Sequence, residues 1–99
     1  MMQIRYDSDM DTQQLKYFLD VAETEHMTKS AKRLSIAQPA LSRSISRLEH
    51  ELGVCLFRRE GRGLRLTDEG KLFQHGLLPL VRELDSLCAE VRGAESGSR

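Results

Sequence analysis

Residues 35–57 read SIAQPALSRSISRLEHELGVCLF, and their pattern is the clearest indication of the fold. Apolar residues recur in it at spacings of four, three and four, which is the period of a helix with one buried face. These residues are Leu41, Ile45, Leu48 and Leu52. Pro39 is tolerated in a first helical turn because the N–H that it lacks would have no partner there. Since Gly53 suits the position just after a helix end, the stretch predicts a helix that begins at Gln38 and stops before Gly53.

The opposite face of this predicted helix is polar and, near its beginning, basic. Its residues are Gln38, Ser42, Arg43, Ser46, Arg47 and His50. The major groove of B-DNA admits one helix, and arginine and glutamine side chains form paired hydrogen bonds with guanine and adenine edges there. The positive end of the helix dipole also favours nearby phosphates. The pattern is therefore typical of a helix that reads DNA.

Two shorter helices are predicted before it. Asp11 and Thr12 both suit the N-cap of a first helix that ends near Thr24, and Thr28 suits the N-cap of a second. The apolar positions of these two helices are Leu15, Phe18, Leu19, Ala22, Ala31 and Leu34. The apolar pattern is then interrupted, which predicts a tight turn. A short helix, a turn and a helix with a polar face predict a helix-turn-helix over about residues 27–46.

A β-hairpin is predicted after the third helix. Two short apolar and basic runs, within residues 56–59 and 64–67, flank a glycine-rich turn. Arg62 lies between two glycines at the turn, so it can approach a DNA backbone closely or enter a minor groove. The predicted fold is mainly helical: a winged helix-turn-helix with a three-helix core and a two-stranded β wing over about residues 56–67.

A final long helix is predicted to begin at Thr67 or Asp68. Its apolar residues are spaced by four, three, four, three and four, which forms a heptad-like seam. These residues are Phe73, Leu77, Leu80, Leu84, Leu87 and Val91. The seam predicts a linker and dimerisation helix over residues 68–92, which Pro79 should kink or divide. The small polar residues 93–99 predict a flexible tail.

Composition and charge limit the function further. Ninety-nine residues suffice for one modest core. No apolar stretch approaches the roughly 20 residues of a membrane span. Fifteen Lys and Arg balance fifteen Asp and Glu, but residues 1–25 carry a net −4, residues 26–66 a net +6 and residues 67–99 a net −2. The central basic block is what a surface for a polyanion requires, although a solvated charged surface is the alternative.

Other kinds of site have little support in the sequence. Cys55 and Cys88 form no Cys-x-x-Cys pair and are expected to be small buried hydrophobes in a reducing cytosol. His26, His50 and His75 lack the spacing of metal ligands. The chain has neither a Gly-x-Ser-x-Gly motif nor a phosphate-binding glycine loop. We therefore expect no metal, no cofactor and no enzymatic activity.

Four stretches resemble LysR-type transcriptional regulators. They are LKYFLDVAE at 15–23, MTKSAKRL at 27–34, SIAQPALSRSISRLEHELGVCLF at 35–57 and RREGRGLRLTDEG at 58–70. The resemblance covers residues 10–91. It implies a winged helix-turn-helix DNA-binding domain at residues 10–67 and a linker helix at residues 68–92 that pairs two subunits. Met10 matches the usual first residue of the family, so residues 1–9 would be a flexible extension.

The resemblance also implies a role for individual residues. In the recognition helix, the residues expected to face the DNA groove are Gln38, Pro39, Ala40, Ser42, Arg43 and Arg47. The residues expected to contact the DNA backbone are Thr28, Lys29, Ser30 and Arg59. Arg62 matches the arginine of the wing, and the seam of the last helix would form the dimer interface.

The chain also departs from the family pattern. Ala37 stands where Ser or Thr is often found, so the recognition helix lacks a side-chain cap, which costs about 0.5–2 kcal/mol. Ser44 stands where a longer polar residue is common, and this alters the expected sequence preference. Family members usually continue into an α/β effector-binding domain. That domain is absent from this chain, and no small-molecule effector site is expected.

These observations predict a sequence-specific DNA-binding domain of a bacterial transcription regulator. It would act as a homodimer on a partly palindromic double-stranded operator, in the cytoplasm at the nucleoid and away from membranes. The alternative is a truncated interaction module that forms mixed dimers with full-length regulators.

Overall fold

The structure, a computed structural model, describes residues 10–97. The predicted extension at residues 1–9 and the last two residues of the predicted tail lie outside the described residues. The elements follow the order α1 (Thr12–Thr24), α2 (Met27–Leu34), α3 (Gln38–Leu52), β1 (Phe57–Glu60), β2 (Gly63–Leu66) and α4 (Asp68–Gly97). The strands form a two-stranded antiparallel sheet. The prediction of a mainly helical, winged helix-turn-helix fold followed by a long helix is confirmed.

Local sequence signals define the ends of α1 and α3. The carboxylate of Asp11 accepts a hydrogen bond from the Gln14 N–H at 2.8 Å and caps α1. Ala37 provides no side-chain cap for α3, as expected. Gly53 ends α3 in the left-handed conformation, and its N–H donates to the Glu49 carbonyl at 2.8 Å. Both predicted starts and the predicted end of α3 are therefore confirmed.

Helix α2 begins differently from the prediction. Thr28 lies inside the helix, and the N-cap is His26, whose Nδ1 accepts a hydrogen bond from the Lys29 N–H at 3.2 Å. A ring nitrogen that accepts a hydrogen bond carries no proton, so a neutral His26 has its proton on Nε2. The prediction of Thr28 as the cap was wrong because a histidine is not among the usual capping residues.

One apolar cluster joins all the elements. Phe18 is fully buried at its centre, with ring centroids 5.5 Å from Phe57 on the wing and 5.2 Å from Phe73 on α4. The buried apolar residues are Phe18, Val21, Ala22, Ala31, Leu41, Ile45, Leu48, Leu56, Phe57, Leu66, Leu77 and Val81. Leu15, Leu34 and Leu52, which the sequence also predicts to be apolar packing positions, are only partly buried against this cluster.

The start of α4 is fixed to the base of the wing. The Thr67 hydroxyl accepts a hydrogen bond from the Gly70 N–H at 3.0 Å and lies 2.6 Å from the Cys55 carbonyl, to which it donates. A Cβ at Gly70 would collide with the carbonyl oxygen of Leu56. The close approach of α4 to the chain before β1 therefore requires glycine at this position.

The seam of α4 divides into two parts. Phe73 packs on Phe18, and Leu77 is only 7% exposed, so both belong to the core of a single copy. The assignment of Leu77 to a dimer interface is corrected, because this part of the helix lies against the globule and buries it within one copy; that of Phe73, which is partly buried, stays a prediction. The other seam residues are exposed, at 62% for Leu80, 40% for Leu84, 56% for Leu87 and 61% for Val91. Leu72, absent from the predicted seam, is also exposed.

Helix α4 is also longer and more continuous than expected. It is one element from Asp68 to Gly97, so residues 93–97 of the predicted tail are helical, and Pro79 does not begin a new helix. An ion pair of 2.8 Å joins Lys16 on α1 to Asp85 on α4. Within residues 10–97, no helix is both long enough and apolar enough to cross a membrane.

Candidate nucleic-acid interface

The outer face of α3 presents the predicted base-reading side chains. Pro39, Ala40, Arg43 and Arg47 are exposed, as is the first residue, Gln38, while Ser42 is half-buried. The Gln38 Nε2 donates a hydrogen bond to the Ser42 hydroxyl at 2.9 Å. Two groups that can contact a base edge are thus held next to each other before any ligand binds.

A groove between α2, α3 and the wing brings together predicted residues from three separate elements. It is lined by Thr28 from α2, Gln38 and Ser42 from α3, and Arg59 and Arg62 from the wing. His26 also lines it, although the sequence analysis assigned it no role. The groove therefore combines cationic side chains on one wall with hydrogen-bonding side chains on the other.

A second cleft lies on the opposite side of α3, between that helix and the start of α1. Arg43 and Arg47 line it together with Gln13 and Tyr17. Gln14 is buried beneath it and donates from Nε2 to the Ser44 carbonyl at 3.2 Å, which ties α1 to α3. The exposed arginines of α3 thus line a cleft rather than lie on a flat surface.

The start of α2 places two of its three predicted backbone contacts at the surface. Thr28 and Lys29 are exposed. Ser30 is fully buried, its hydroxyl lies 2.7 Å from the Thr24 hydroxyl, and its N–H donates to the His26 carbonyl at 3.1 Å. The assignment of Ser30 to the DNA backbone is therefore corrected, because both of its polar groups already have partners inside the fold.

The tip of the wing is a tight turn. Glu60 pairs with Gly63, so Gly61 and Arg62 form the two-residue connection between the strands. Gly61 has a φ of 61°, a conformation that glycine adopts without steric penalty. Arg62 is exposed at this tip and Arg59 lies on β1 nearby, so both guanidinium groups are on the surface that borders α3.

Two glutamates hold the wing in place, and the sequence analysis missed both. The Glu49 carboxylate on α3 accepts hydrogen bonds from the N–H groups of Leu56 at 2.7 Å and Phe57 at 3.1 Å. The Glu25 carboxylate accepts one from the Leu66 N–H at 2.9 Å, and its backbone carbonyl accepts one from the Leu64 N–H at 2.9 Å. The Leu66 partner of Glu25 is 41 positions away, so no local sequence pattern indicates that hydrogen bond.

Ion pairing distinguishes among the nine basic residues of the central block. A hydrogen bond that Arg33 donates to Glu23, together with the charge of Asp20, raises the pKa of Arg33, and a hydrogen bond that Arg65 donates to Glu60 raises the pKa of Arg65. The other basic residues of the block form no ion pair with any acidic side chain among residues 10–93. They are Lys29, Lys32, Arg43, Arg47, Arg58, Arg59 and Arg62.

The remaining candidates from the sequence are a metal site and the two cysteines. Within the described residues, no three His, Cys, Asp or Glu side chains are grouped so that they could hold a metal ion. Cys88 is half-buried beside the seam, whereas Cys55 is exposed in the loop before the wing. The expectation that Cys55 is buried was therefore wrong, because the loop turns it outward.

The comparison with protein families gives a direct match. The model described as a bacterial regulatory helix-turn-helix protein of the lysR family matches residues 12–71, more than half of the chain. The chain belongs to the LysR family. The matched range runs from α1 through the wing into the first turn of α4, so it includes every element that forms the two clefts.

Relatives of this LysR-family chain are named as transcriptional regulators. The uncharacterised HTH-type regulator YybE of Bacillus subtilis (strain 168) is 50% identical over 74 residues, which are 75% of this chain and 25% of YybE. The regulator BudR of Klebsiella aerogenes is 41% identical over 88 residues, covering 89% of this chain and 62% of BudR. The chain thus spans about a quarter of the first relative and less than two thirds of the second.

The superposition of this LysR-family chain on similar solved structures extends into α4. The DNA-binding domain of BenM in complex with catB site 1 DNA superposes with a TM-score of 0.84 at 38% identity, covering 91% of this chain and 97% of that one. The complex of the CbnR DNA-binding domain with DNA gives 0.69 at 36% identity, covering 91% and 100%. The resemblance to LysR-type DNA-binding domains is therefore confirmed for this chain.

Proposed function

We propose that this chain binds double-stranded DNA sequence-specifically, with α3 in a major groove and the wing against the adjoining backbone or minor groove. The observation that carries the proposal is the groove in which Thr28, Gln38, Ser42, Arg59 and Arg62 meet. These residues lie on three elements, and five hydrogen-bonding or cationic groups along one groove suit a ligand that carries both phosphates and base edges. BenM and CbnR, which have similar folds, were solved bound to DNA.

The positions of the side chains support the following division of roles. Residues on the outer face of α3 would contact bases: Gln38, Pro39, Ala40, Ser42, Arg43 and Arg47. Thr28, Lys29 and Arg59 would bind phosphates beside them, and Arg62 would contact the backbone or the minor groove from the wing tip. Base contacts specify sequence, whereas phosphate contacts set orientation and supply salt-dependent affinity.

Dimerisation is the second part of the proposal. The exposed stripe of α4, formed by Leu80, Leu84, Leu87 and Val91, is an apolar surface that water would contact in a single copy. Pairing of two such stripes would bury it and would place two copies of α3 on one duplex. A two-fold symmetric protein requires a partly palindromic operator.

The names of the relatives support a proposal about the cellular role. Because YybE and BudR are named as transcriptional regulators, we propose a non-catalytic regulator that works on the nucleoid in the bacterial cytoplasm. We assign it no cofactor and no small-molecule effector site. A mixed dimer with a full-length regulator would use the same stripe of α4, but the DNA-facing groove would then have no role.

The direct test is selection from a pool of randomised duplex DNA at two salt concentrations, followed by sequencing. A symmetric consensus with affinity that falls steeply with salt supports a sequence-specific dimer. Salt-sensitive binding without a consensus would contradict sequence readout by this chain. No binding at either salt concentration would refute the proposal and favour the interaction module, which a pull-down with full-length family members would then detect.

A further inference from the structure

Strand β2 has one edge that β1 does not cover, and Glu25 occupies it. The N–H groups of Leu64 and Leu66 lie two residues apart on β2, so both point to the same side of the strand. The first donates to the Glu25 backbone carbonyl and the second to its carboxylate, each at 2.9 Å. One residue of the α1–α2 turn therefore satisfies both donors, as a third strand would.

The backbone of Glu25 makes this arrangement unusual. Its φ of 51° and ψ of 35° lie in the left-handed region, where glycine is favoured and a longer side chain is strained. A glycine there would keep the turn and the carbonyl, but it would lose the carboxylate that reaches Leu66. The chain thus keeps a strained residue at the position from which a side chain can hold the wing.

We infer that Glu25 is a positioning residue for DNA binding: it fixes β2, and through β2 the Arg62 tip, at a set distance from the base-reading face of α3. The inference rests on the proposed function, because Arg62 is taken to contact DNA. The hydrogen bonds from the Leu56 and Phe57 N–H groups to Glu49 hold the base of the wing independently. A change at Glu25 therefore loosens β2 without freeing the whole hairpin.

Charge and positioning predict opposite effects, which makes the inference testable. Glu25 places a negative charge beside a surface for a polyanion, so removal of that charge alone should strengthen DNA binding. Loss of the hydrogen bond to Leu66 should weaken it. Glu25→Gly removes the carboxylate and relieves the strain of the left-handed backbone conformation. Glu25→Gln removes the charge and keeps an acceptor oxygen. Glu69→Gln removes the same charge from an exposed position at the start of α4.

The first readout is affinity for the selected DNA. We expect Glu25→Gly to weaken binding about five- to tenfold, the loss of one hydrogen bond expressed as affinity. Glu25→Gln should restore binding to at least the wild-type level, and Glu69→Gln should not weaken it. In an Arg62→Ala background, Glu25→Gly should cause no further loss. Equal losses with and without Arg62, or no loss from Glu25→Gly, would overturn the inference.

The second readout needs no DNA. Exchange of the Leu66 amide hydrogen, followed by NMR, should be about tenfold faster in Glu25→Gly, while the amides of Leu56 and Phe57 keep their wild-type rates. An unchanged Leu66 rate would overturn the inference whatever the binding data show. If the wild-type chain binds no DNA, the proposed function fails together with the role of Arg62, and the exchange rates alone decide whether Glu25 holds the wing.

Discussion

Helix α3 and the distal part of α4, residues 82–97, are both amphipathic, yet they use their apolar faces in opposite ways. In α3 the apolar residues Leu41, Ile45 and Leu48 are buried by the same copy, and the polar face is exposed. In distal α4 the apolar residues Leu84, Leu87 and Val91 are themselves exposed. The globule that we propose to face DNA is thus fully packed within one copy, whereas the helix that extends from it leaves apolar side chains uncovered.

A helical apolar pattern therefore indicates a face that will be buried, but it does not indicate whether the same copy or a second molecule covers that face. Phe73 and Leu77 continue the same heptad-like spacing as Leu80 and Leu87, but Phe73 packs on Phe18 of α1 and Leu77 is buried in the apolar cluster. Whether a position in the seam lies over the globule or beyond it depends on where the helix begins and on the size of the globule. Four predictions test this contrast.

The largest effect is expected in the core that completes the globule. Phe18→Ala removes a fully buried ring that packs on Phe57 and Phe73, and we expect it to lower the free energy of unfolding by about 3–5 kcal/mol. Urea unfolding followed by circular dichroism measures the change. A loss below about 1 kcal/mol would mean that α1, the wing and α4 do not share one core.

The next effect concerns the uncovered stripe. Leu87→Asp puts a charge in the proposed interface, and we expect the dimer dissociation constant to rise at least about a hundredfold, since an unpaired buried charge costs several kcal/mol. Sedimentation equilibrium measures the association. The matched control is Ala89→Asp, which adds the same charge at an exposed position on the other side of α4. Equal weakening by both variants would contradict an interface at the stripe.

A smaller effect separates base reading from backbone binding. Arg43→Ala should cost about 1–3 kcal/mol on the selected site and less on random DNA, because it removes a base contact. Arg62→Ala should weaken binding to both DNAs by similar factors. Arg82→Ala, which removes an exposed charge from α4, is the control. If a competition assay finds that Arg43→Ala and Arg62→Ala lose affinity equally on both DNAs, this division of roles is wrong.

The smallest effect concerns the uncapped start of α3. Ala37→Ser supplies a hydroxyl at the N-cap, where the structure has no side-chain hydrogen bond, and should raise the free energy of unfolding by about 1 kcal/mol. Thermal unfolding measures the gain. The same substitution at Ala89, in the middle of α4, should give none. An unchanged melting temperature in Ala37→Ser would show that the start of α3 is already satisfied by solvent or neighbouring groups.

Locally determined features were predictable from the sequence, while those that depend on distant contacts were not. The cap at Asp11, the beginning of α3 and its end at Gly53 follow from residues a few positions apart, and all are confirmed. The hydroxyl of the buried Ser30 is paired with that of Thr24 in the preceding helix, and the apolar spacing of a helix does not predict such a contact. The hydrogen bond from the Leu66 N–H to the Glu25 carboxylate joins residues 41 positions apart, and it was not predicted either.

In the candidate site, too, the sequence predicts which residues take part but not the contacts between distant residues. Pattern and family resemblance place Gln38, Ser42 and Arg62 in the site, and the structure brings these three residues to one groove. Neither pattern nor resemblance showed that Arg33 and Arg65 are engaged with carboxylates, because an ion pair between separate elements depends on how they pack.

The most direct test of the account compares two duplexes, one with a single half-site and one with two, as wild-type and Leu87→Asp chains bind them. We expect Leu87→Asp to bind the single half-site as tightly as the wild-type chain does. On the duplex with two half-sites, it should lose the additional affinity that pairing through α4 gives the wild-type chain. Two results would contradict this model: equal losses on both duplexes, or no additional wild-type affinity for two half-sites. Either would mean that two DNA-binding globules do not pair through the exposed stripe of α4.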